Sequence, residues 1–398
     1  MELLYISALS SERLINEIYN RTNENPGFAV QKFSRLLVKG IIMNGSKCIP
    51  LSVPPIGSGY TGKLWVSYDN ESENNVEYRY IPFVNLSFLK HICVFLYSFF
   101  YILFWGIKDR NQKAILCDVL CVSSSIAALI ASKICGLTSV AIVTDIYNQM
   151  VGQQTSGVKS VMSRLAGWLN SMYVSYFSKY VLLTDTMNEV VNPTGKPYIV
   201  MEALCDSNLV DTEIIECNKA YPKVILYAGG IEERYGLKML VKAFKRIKRE
   251  DIELHIYGSG SYVSELLVET SRDYRIRYLG IRPNEEVVEA EYRATLLVNP
   301  RFITEEFTKY SFPSKNMEYM VSGTPVLTTK LPGMPREYYS YVLLIDDETI
   351  EGYVNAIENS FDFSSDILTD LGSKARRFVL EKKNNVYQAR RVLKLINP

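Results

Sequence analysis

The stretch Phe312-Pro313-Ser314-Lys315-Asn316-Met317-Glu318-Tyr319-Met320-Val321-Ser322-Gly323-Thr324-Pro325-Val326 predicts a short helix between a turn and a new buried strand. Pro313 suits the first turn of a helix, where its missing N–H costs little. Either Ser311 or Ser314 is a suitable cap for the helix N-terminus. Gly323 predicts the end of the helix, because glycine readily takes the left-handed conformation found there.

Lys315 and Glu318 are three residues apart, so both side chains project from one face of this helix, close to its N-terminus. A lysine, free N–H groups and the positive end of the helix dipole suit a diphosphate. A carboxylate one turn later suits the neighbouring hydroxyls of a sugar. The pair therefore predicts a nucleotide-sugar pocket. The alternative is a surface ion pair at an ordinary helix N-terminus.

This segment resembles the donor-site helix of retaining glycosyltransferases of family 4, which have the GT-B fold. Many of them build bacterial capsule, exopolysaccharide or O-antigen chains. The resemblance implies that Glu318 binds the ribose of a nucleotide diphosphate sugar, and that Pro313, Ser314 and Lys315 line the donor site. These relatives usually have two glutamates with seven residues between them. Glu318 matches the second glutamate, but Tyr310 stands at the position of the first.

Length and composition indicate a folded protein of two or three domains. The chain has 398 residues, 47% of them hydrophobic, with 44 Lys and Arg against 43 Asp and Glu. The balanced charge gives no support for bulk nucleic-acid binding. Seven scattered cysteines without a CxxC pair, and only two histidines, argue against a zinc site and favour reduced thiols in a cytosolic protein. Met1–Ile6 lacks a basic region and a cleavage site, so we expect a strand there and not a signal peptide.

Strands and amphipathic helices alternate along the chain, which favours parallel, doubly wound sheets. Periodicity is lost over Tyr198–Asp211, and a fresh α/β series begins at Lys223. We therefore expect an α/β protein of the GT-B type, with two doubly wound Rossmann-like domains facing a central cleft. The predicted parts are an acceptor-binding domain over 1–200, a nucleotide-sugar-binding domain over 201–375, and a C-terminal helix over 376–398 that crosses back to the first domain.

The same pattern predicts individual elements. The tail Ser373–Leu395 is expected to form one long amphipathic helix. The expected elements of the second half are strands at 223–228, 253–257, 275–280 and 295–299, and helices at 236–249, 261–271 and 284–293.

Turns at successive strand ends of the second half match the donor-site pattern of the family. Gly229 and Gly230 follow one strand, Gly258 follows the next, and Arg282 follows the third. Glycines here let the backbone approach a phosphate or sugar closely. The resemblance implies that these turns lie beside the nucleotide. A purely structural Gly-Gly turn is the alternative for the first of them.

Two cations that usually grip the donor diphosphate in this family are missing. Many relatives have arginine at the position of Gly230 and lysine at the position of Tyr235. Arg234, which is adjacent, and Arg301, at the end of a later strand, are the candidates that replace them. We expect Tyr235 itself to remain a donor-site residue.

Asp145 is the candidate catalytic residue of the first half. It lies in Val143-Thr144-Asp145-Ile146 at a strand end, where relatives have histidine-aspartate or threonine-aspartate near the reacting sugar. The resemblance implies that Asp145 accepts a hydrogen bond from the acceptor hydroxyl or stabilises developing positive charge. The alternative is that it caps the following turn. Asn25–Phe33 resembles the acceptor-facing first loop, and His91 and His255 have no visible catalytic context.

Phe88–Ile107 is unusually apolar and aromatic, with no charge from Ile92 to Ile107. This uncharged run is shorter than the roughly 20 residues that a membrane span needs. Three interpretations stay open: a buried core helix, a helix lying in the membrane interface, and a true span. Basic and aromatic residues in Lys159–Lys179 are candidates to extend such a membrane-facing surface.

The resemblance predicts a retaining glycosyltransferase that moves a sugar from a nucleotide diphosphate sugar to a sugar hydroxyl of a lipid-linked oligosaccharide. A UDP-sugar is the expected donor. Lys315 with Arg234 or Arg301 would stabilise the leaving diphosphate. No bound metal or cofactor is expected, and Asp346-Asp347 does not form a spaced Asp-x-Asp motif. The expected place is the inner face of the cytoplasmic membrane, with peripheral contact through Phe88–Ile107, in surface polysaccharide biosynthesis.

Two other functions remain open: a non-catalytic GT-B subunit that binds a partner or membrane, and a nucleotide-sugar 2-epimerase with the same fold. The predicted catalytic residues are Asp145, Lys315, Arg234 and Arg301. The predicted donor-binding residues are Gly229, Gly230, Tyr235, Gly258, Arg282, Pro313, Ser314, Lys315 and Glu318.

Overall fold

The chain divides into two compact α/β units. A computed structural model describes residues 1–22, 26–57, 64–108, 112–146, 170, 172–210 and 219–397. Unit 1 comprises Met1–Leu204 together with Asn385–Pro398, and unit 2 comprises Cys205–Asn384. The chain therefore leaves unit 1 once and returns to it at its C-terminal end.

Unit 1 is built around a mostly parallel sheet. Its strands are β1 (Glu2–Ser7), β2 (Lys47–Ser52), β3 (Trp65–Val66), β4 (Glu71–Glu73), β5 (Val76–Tyr80), β6 (Phe83–Val84), β7 (Lys113–Asp118), β8 (Thr138–Val143), β9 (Lys179–Leu182) and β10 (Tyr198–Val200). Its helices are α1 (Glu12–Thr22), α2 (Phe28–Met43), α3 (Ser87–Ile107), α4 (Val122–Cys135), α5 (Met187–Val191) and a C-terminal helix, Asn385–Ile396.

The strands of the large sheet lie in the order β10-β9-β8-β7-β1-β2-β5-β4. The central strands are buried apolar runs, which is typical of parallel strands covered on both faces. In register, Glu2 pairs with Lys47 on one side and with Lys113 on the other, so β1, β2 and β7 begin at one edge of the sheet. In this sheet, β4 runs antiparallel to β5 and is joined to it by Asn74 and Asn75, both with positive φ as a two-residue hairpin turn requires. Strands β3 and β6 form a separate antiparallel pair.

Unit 2 is a second doubly wound domain. Its strands are β11 (Lys223–Gly230), β12 (Ile252–Ser259), β13 (Ile276–Gly280), β14 (Leu296–Asn299), β15 (Val326–Thr329) and β16 (Leu343–Ile345). Its helices are α6 (Leu237–Phe244), α7 (Val263–Arg272), α8 (Asn284–Arg293), α9 (Ser314–Ser322), α10 (Ile350–Asp362) and α11 (Ser365–Lys382), and the C-terminal helix of unit 1 is α12.

The sheet of unit 2 has the spatial order β13-β12-β11-β14-β15-β16, with every pair parallel. This is the Rossmann order, in which the chain reverses its direction of winding between the first and fourth strands. Here that reversal lies between β11 and β14. The predicted pair of Rossmann-like domains is therefore confirmed.

The predicted long C-terminal helix is wrong. Helix α11 ends at Lys382, α12 begins at Asn385, and two residues between them leave the helix. The break forms because the carbonyl of Lys383 accepts the N–H of Cys205, and Asn384 forms a β-bridge with the same residue. The segment that returns to unit 1 therefore begins at Asn385, and not at residue 376 as predicted.

Helix α12 packs closely on α2 within unit 1. A Cβ on Gly40 of α2 would lie 2.1 Å from the carbonyl oxygen of Asn385, so glycine permits this approach. Lys179 Nζ donates to the carbonyls of Leu395 and Ile396 at the C-terminal end of α12. The unpaired carbonyls of that helix end are satisfied in this way.

Two further expectations need correction. The stretch that begins at Tyr198, expected to lack periodic structure, opens with β10, because Tyr198–Val200 pairs with β9 as the last strand of the sheet. The helix predicted at 236–249 ends at Phe244, and the chain then turns so that Arg249 can form an ion pair with Asp251 at 3.0 Å.

Candidate functional site

The reversal of winding in unit 2 places two loops side by side at the carboxyl ends of β11 and β14. In open α/β sheets this is where ligands bind, because the two loops diverge and leave a crevice. Strand β11 ends at Gly230, and β14 ends at Asn299, followed by Pro300 and Arg301. The predicted donor-site residues of these loops therefore lie at the expected edge of the sheet.

The glycines of these loops allow the backbones to approach closely. Gly258 has a φ of 127°, and a Cβ there would lie 1.9 Å from the carbonyl oxygen of Gly229. Gly236 has a φ of 79°, and a Cβ there would lie 1.7 Å from the carbonyl oxygen of Pro300. No larger residue fits either position without moving backbone. The close backbone approach therefore explains why glycine occupies both positions. Contact of these glycines with a donor stays a prediction.

Helix α9 is anchored to both strand ends by buried hydrogen bonds. The Tyr319 hydroxyl accepts the N–H of Ala228 at 2.8 Å and donates to the carbonyl of Ala228 at 3.2 Å. The Asn316 amide oxygen accepts a hydrogen bond from the Asn299 amide at 2.7 Å. These bonds tie the helix to β11 and β14, the two strands that flank the crevice.

The N-terminus of α9 has no side-chain cap, so the predicted cap by Ser311 or Ser314 is wrong. Pro313 occupies the capping position with extended backbone, and its ring provides no acceptor. Ser314 is already the first helical residue and is exposed. The uncapped helix end leaves N–H groups available to an anion. Gly323 ends the helix at a φ of 75°, as predicted.

Lys315 and Glu318 lie together on α9, as their spacing predicts. Lys315 Nζ is 3.0 Å from a carboxylate oxygen of Glu318. It is also 4.0 Å from Glu291 of α8, whose side chain is fully buried. Both Lys315 and Glu318 keep part of their surface open, so the pair contributes little to stability and is free to exchange its ion pair for a ligand.

Arg301 and Arg234 converge on two aromatic rings beside the same crevice. The Arg301 guanidinium lies 4.7 Å from the ring centre of Tyr235 and 5.8 Å from that of Phe307. The Arg234 guanidinium lies 5.1 Å and 5.6 Å from the same rings. Cation–π contacts therefore hold two positive charges close together. Tyr235, at the position of the missing lysine, orients both arginines.

Arg301 is a desolvated cation. Burial lowers the pKa of its guanidinium, and Arg234 adds to that effect, while Tyr235 and Tyr227 oppose it. Among the residues that the structure describes, no carboxylate forms an ion pair with Arg301. Arg301 keeps part of its surface exposed, and a partly desolvated cation without a counter-ion attracts an anion. Phe307 of this cluster was missed by the sequence analysis, since an aromatic residue in a loop gives no signal of its own.

The remaining donor-side turns are fixed by local bonds. Glu232 accepts hydrogen bonds from both the N–H and the hydroxyl of Ser261, which joins the loops after β11 and β12. Arg282 is exposed, and its Nε donates to the carbonyl of Leu279. Burial raises the pKa of the Tyr257 hydroxyl, and the nearby Arg282 opposes this effect. The turn that contains Arg282 therefore lies beside Tyr257 of β12.

In unit 1, Asp145 follows β8 at the carboxyl edge of the sheet. One of its carboxylate oxygens accepts the N–H of the next residue, Ile146, at 2.7 Å. Burial raises the pKa of this carboxyl group. A role at the reacting sugar stays a prediction. Asn25 of the predicted first loop and Lys159, Arg164 and Trp168 of the predicted basic segment lie outside the described residues.

Asp118 is a second carboxylate at this edge, and it was not among the residues predicted for the site. It ends β7, next to β1, where the strand order of unit 1 reverses. Its side chain is 3% exposed, and it accepts the N–H of Leu120 at 3.0 Å. Burial raises the pKa of Asp118 to about 6. The available signal was an aspartate as the last residue of a predicted strand, the position at which parallel sheets carry ligands.

Neither histidine joins these sites. His91 Nδ1 is hydrogen-bonded to Ser123, and His255 Nε2 is hydrogen-bonded to Glu253 inside unit 2 at 2.7 Å. Within the described part of the chain, no group of three or more His, Cys, Asp or Glu side chains is arranged to hold a metal ion.

Residues 222–362 match the model of the family described as "Glycosyl transferases group 1". A D-inositol 3-phosphate glycosyltransferase of Corynebacterium efficiens is 30% identical over 126 residues, which are 29% of this chain and 28% of that protein. The corresponding enzyme of Corynebacterium diphtheriae is 26% identical over 140 residues. The chain thus matches less than a third of the length of these curated relatives.

Solved structures resemble the whole chain in fold. Anabaena HepE in complex with UDP has a TM-score of 0.63 and 13% identity, covering 99% of both chains. The lipopolysaccharide outer core galactosyltransferase WaaB has a TM-score of 0.62 and 14% identity, covering 100% of this chain and 99% of its own. These neighbours are GT-B glycosyltransferases, and the likeness shows that this chain has the GT-B fold.

Asp118→Asn should change the pH dependence of stability. The folded-state pKa of Asp118, about 6, lies above its unfolded value, so the native state holds the extra proton between about pH 4 and 6. The wild type must therefore lose stability, relative to the variant, as pH rises through that window. From pH 5 to pH 8 we expect a relative loss of roughly 1–2 kcal/mol by denaturant unfolding. The exposed Asp69→Asn control should follow the wild type at both pH values. Equal pH dependence in wild type and Asp118→Asn would contradict the assignment.

Proposed function

We propose that this protein is a retaining glycosyltransferase that uses a nucleotide diphosphate sugar. The observation that carries the proposal is the convergence of cations and an uncapped helix end on the crevice of unit 2. Arg301 and Arg234 lie beside the loop after β11, and α9 is tied to β11 and β14 with Lys315 in its first turn. This segment also falls within the residues that match the glycosyltransferase family model.

The chemistry that such a site favours is departure of a diphosphate. When the bond between the sugar C1 and the donor phosphate breaks, negative charge develops on the leaving phosphate oxygen. Arginine guanidinium groups, a lysine and free helix N–H groups stabilise that charge without a metal ion. Because Arg301 is already desolvated, its interaction with the developing charge is stronger than it would be in water.

The remaining steps use groups of the donor and of this chain. Glu318 accepts hydrogen bonds from the ribose hydroxyls once the nucleotide draws Lys315 from its ion pair. The acceptor hydroxyl attacks C1 from the face that the diphosphate leaves, and its proton passes to the departing phosphate oxygen. The new bond therefore keeps the configuration of the donor. Asp145 is assigned to hydrogen-bond the acceptor hydroxyl or to stabilise the positive charge at C1.

We take UDP as the nucleotide, because the HepE neighbours are bound to UDP or to UDP-glucose. For the acceptor we propose a sugar hydroxyl on a lipid-linked oligosaccharide. The relatives named above act on an inositol phosphate or on the lipopolysaccharide outer core, so a polyol or sugar hydroxyl is the chemistry they share. With such an acceptor, the protein would act in surface polysaccharide biosynthesis, and we propose that it belongs to family 4.

Donor binding tests this proposal through Lys315→Ala and Glu318→Ala. Titration calorimetry with UDP and with UDP-sugars should show saturable binding by the wild type. Each variant should bind at least about tenfold more weakly, a loss of about 1.4 kcal/mol, because each removes a charged partner of the nucleotide. Lys242→Ala and Glu381→Ala, which remove exposed residues of the same kinds away from the crevice, should bind like the wild type.

Turnover assays separate the alternatives. Transfer from a bound UDP-sugar to an acceptor supports the enzyme, and UDP binding without turnover across a broad acceptor panel indicates a non-catalytic subunit. Conversion of the donor to its 2-epimer in the absence of an acceptor indicates an epimerase. Binding of no nucleotide at all would refute the proposal.

We also propose that unit 1 lies against the cytoplasmic membrane through α3. Among the described residues, Phe88–Ile107 is the one helix that is long and apolar enough to cross a membrane. Only 22% of its most apolar 18-residue stretch is buried. The buried side of α3 is formed by Val94, Ser98 and Ile102, spaced four residues apart, and packs within unit 1. A helix packed on its own domain along one side suits the membrane interface better than a span.

The exposed residues of α3 are apolar, apart from His91 and Tyr97. We call this surface the α3 face; its members are Phe88, Leu89, Ile92, Leu96, Phe100, Phe104 and Ile107. Phe104 and Ile107 are 74% and 75% exposed. Neighbouring α4 adds Ile130 and Ile134. An apolar surface of this extent on a soluble protein indicates an interaction partner, and a lipid surface fits both its composition and the proposed acceptor.

Vesicle binding tests the membrane contact. Phe100→Ser combined with Phe104→Ser should lower binding to phosphatidylcholine vesicles at least about tenfold, because two aromatic rings no longer enter the interface. Co-sedimentation measures the bound fraction. Leu267→Ser with Val268→Ser removes two exposed apolar side chains from unit 2 and should leave binding unchanged. Wild-type binding that survives the double phenylalanine substitution would rule out the α3 face as the contact.

A further inference from the structure

Unit 1 contains a cavity of about 830 Å³. It lies away from Asp118 and Asp145, the two carboxylates at the carboxyl ends of the strands. Its walls include Glu2 at the start of β1, Lys47 at the start of β2 and Gln112 just before β7. These strands begin together at one edge of the sheet, whereas Asp118 and Asp145 lie at the opposite edge, where strands end. The proposed sugar transfer makes no use of this cavity.

Three cations line the cavity: Lys47, Arg79 and Lys108. Lys47 Nζ lies 3.8 Å and the Arg79 guanidinium 3.9 Å from the same oxygen of Glu77, so one carboxylate is shared by two cations at long distance. All three side chains remain partly solvent-exposed, and ion pairs of this kind are weak. The cavity therefore has three cationic groups against one lining carboxylate, Glu2, and their ion pairs with Glu77 are weak enough to exchange for an anion.

Aromatic side chains of α3 complete the cavity and connect it to the α3 face. Tyr101, Trp105 and Lys108 follow one another on one side of α3 and line the cavity. Burial raises the pKa of the Tyr101 hydroxyl, and Arg79 beside it opposes that effect. Phe104 belongs to both surfaces, since it lines the cavity and is also one of the most exposed residues of the α3 face.

We propose that this cavity binds the phosphate of an anionic phospholipid head group while the α3 face lies in the interface. The inference rests on the membrane contact proposed above, and it does not depend on sugar transfer. A phosphate attracts the three cations, tyrosine and tryptophan sit readily at head-group depth, and the acyl chains of the same lipid would continue over Phe104 and Ile107. A soluble phosphate would use the cations but would leave the adjoining apolar surface uncovered.

Vesicles of phosphatidylcholine alone and of phosphatidylcholine with phosphatidylglycerol separate the head-group site from general apolar binding. In co-sedimentation, the wild type should bind the anionic vesicles at least about tenfold more tightly than the neutral vesicles. Arg79→Gln with Lys108→Gln should lose most of that gain while binding the neutral vesicles as before. Lys47→Gln alone should lose a smaller part. Lys242→Gln with Lys248→Gln removes two exposed charges from unit 2 and should keep the gain.

Each other outcome overturns the proposal in a distinguishable way. If the anionic preference survives in Arg79→Gln with Lys108→Gln, or falls equally in the unit 2 control, the cavity is not the site. If glycerol 1-phosphate in solution binds as tightly as the vesicles by calorimetry, the ligand is a soluble phosphate and not a lipid. If the wild type binds neither vesicle, the membrane contact fails as well, while UDP binding by the same preparation would still support the proposed enzyme. Retained binding of the cavity variants to the neutral vesicles, which uses the α3 face of unit 1, verifies that this unit folds.

Discussion

The Tyr319 hydroxyl, bonded to both the N–H and the carbonyl of Ala228, is the interaction on which the candidate site depends. A strand that ends at a glycine-rich loop has no side chain of its own to fix a neighbouring helix. Tyr319 provides that connection from the helix side, and Asn316 provides a second one to Asn299 of the adjacent strand. Together they fix the uncapped N-terminus of α9 at the reversal point of the sheet, where its dipole and Lys315 face the crevice.

The departures of this chain from the family pattern have a physical counterpart in the same place. Where relatives have an arginine and a lysine, this chain has Gly230 and Tyr235, and the positive charge comes instead from Arg234 and Arg301. Tyr235 lies between those two guanidiniums and holds them by cation–π contacts. Under the proposed function, a diphosphate would therefore meet two guanidinium groups in place of the arginine and lysine of the relatives.

The fold and the position of α9 could be predicted from the sequence, because they depend on local periodicity and on glycine and proline positions. Helix α8 was predicted to the residue, and Gly323 ends α9 as expected. The break between α11 and α12 could not be predicted, because it forms through a hydrogen bond with Cys205, far away in sequence. Helix α1 was missed although Ser11 caps it, with its hydroxyl accepting the N–H of Leu14. Burial, which raises the pKa of Asp118, is likewise a tertiary property.

A crystal structure of the protein with UDP would test the central claim most directly. The diphosphate should lie at the N-terminus of α9, within hydrogen-bond distance of Lys315 or of the Arg301 guanidinium, with the ribose hydroxyls on Glu318 and the ion pair between Lys315 and Glu318 opened. Nucleotide bound elsewhere on the chain, with that ion pair and the arginine cluster unchanged, would contradict it.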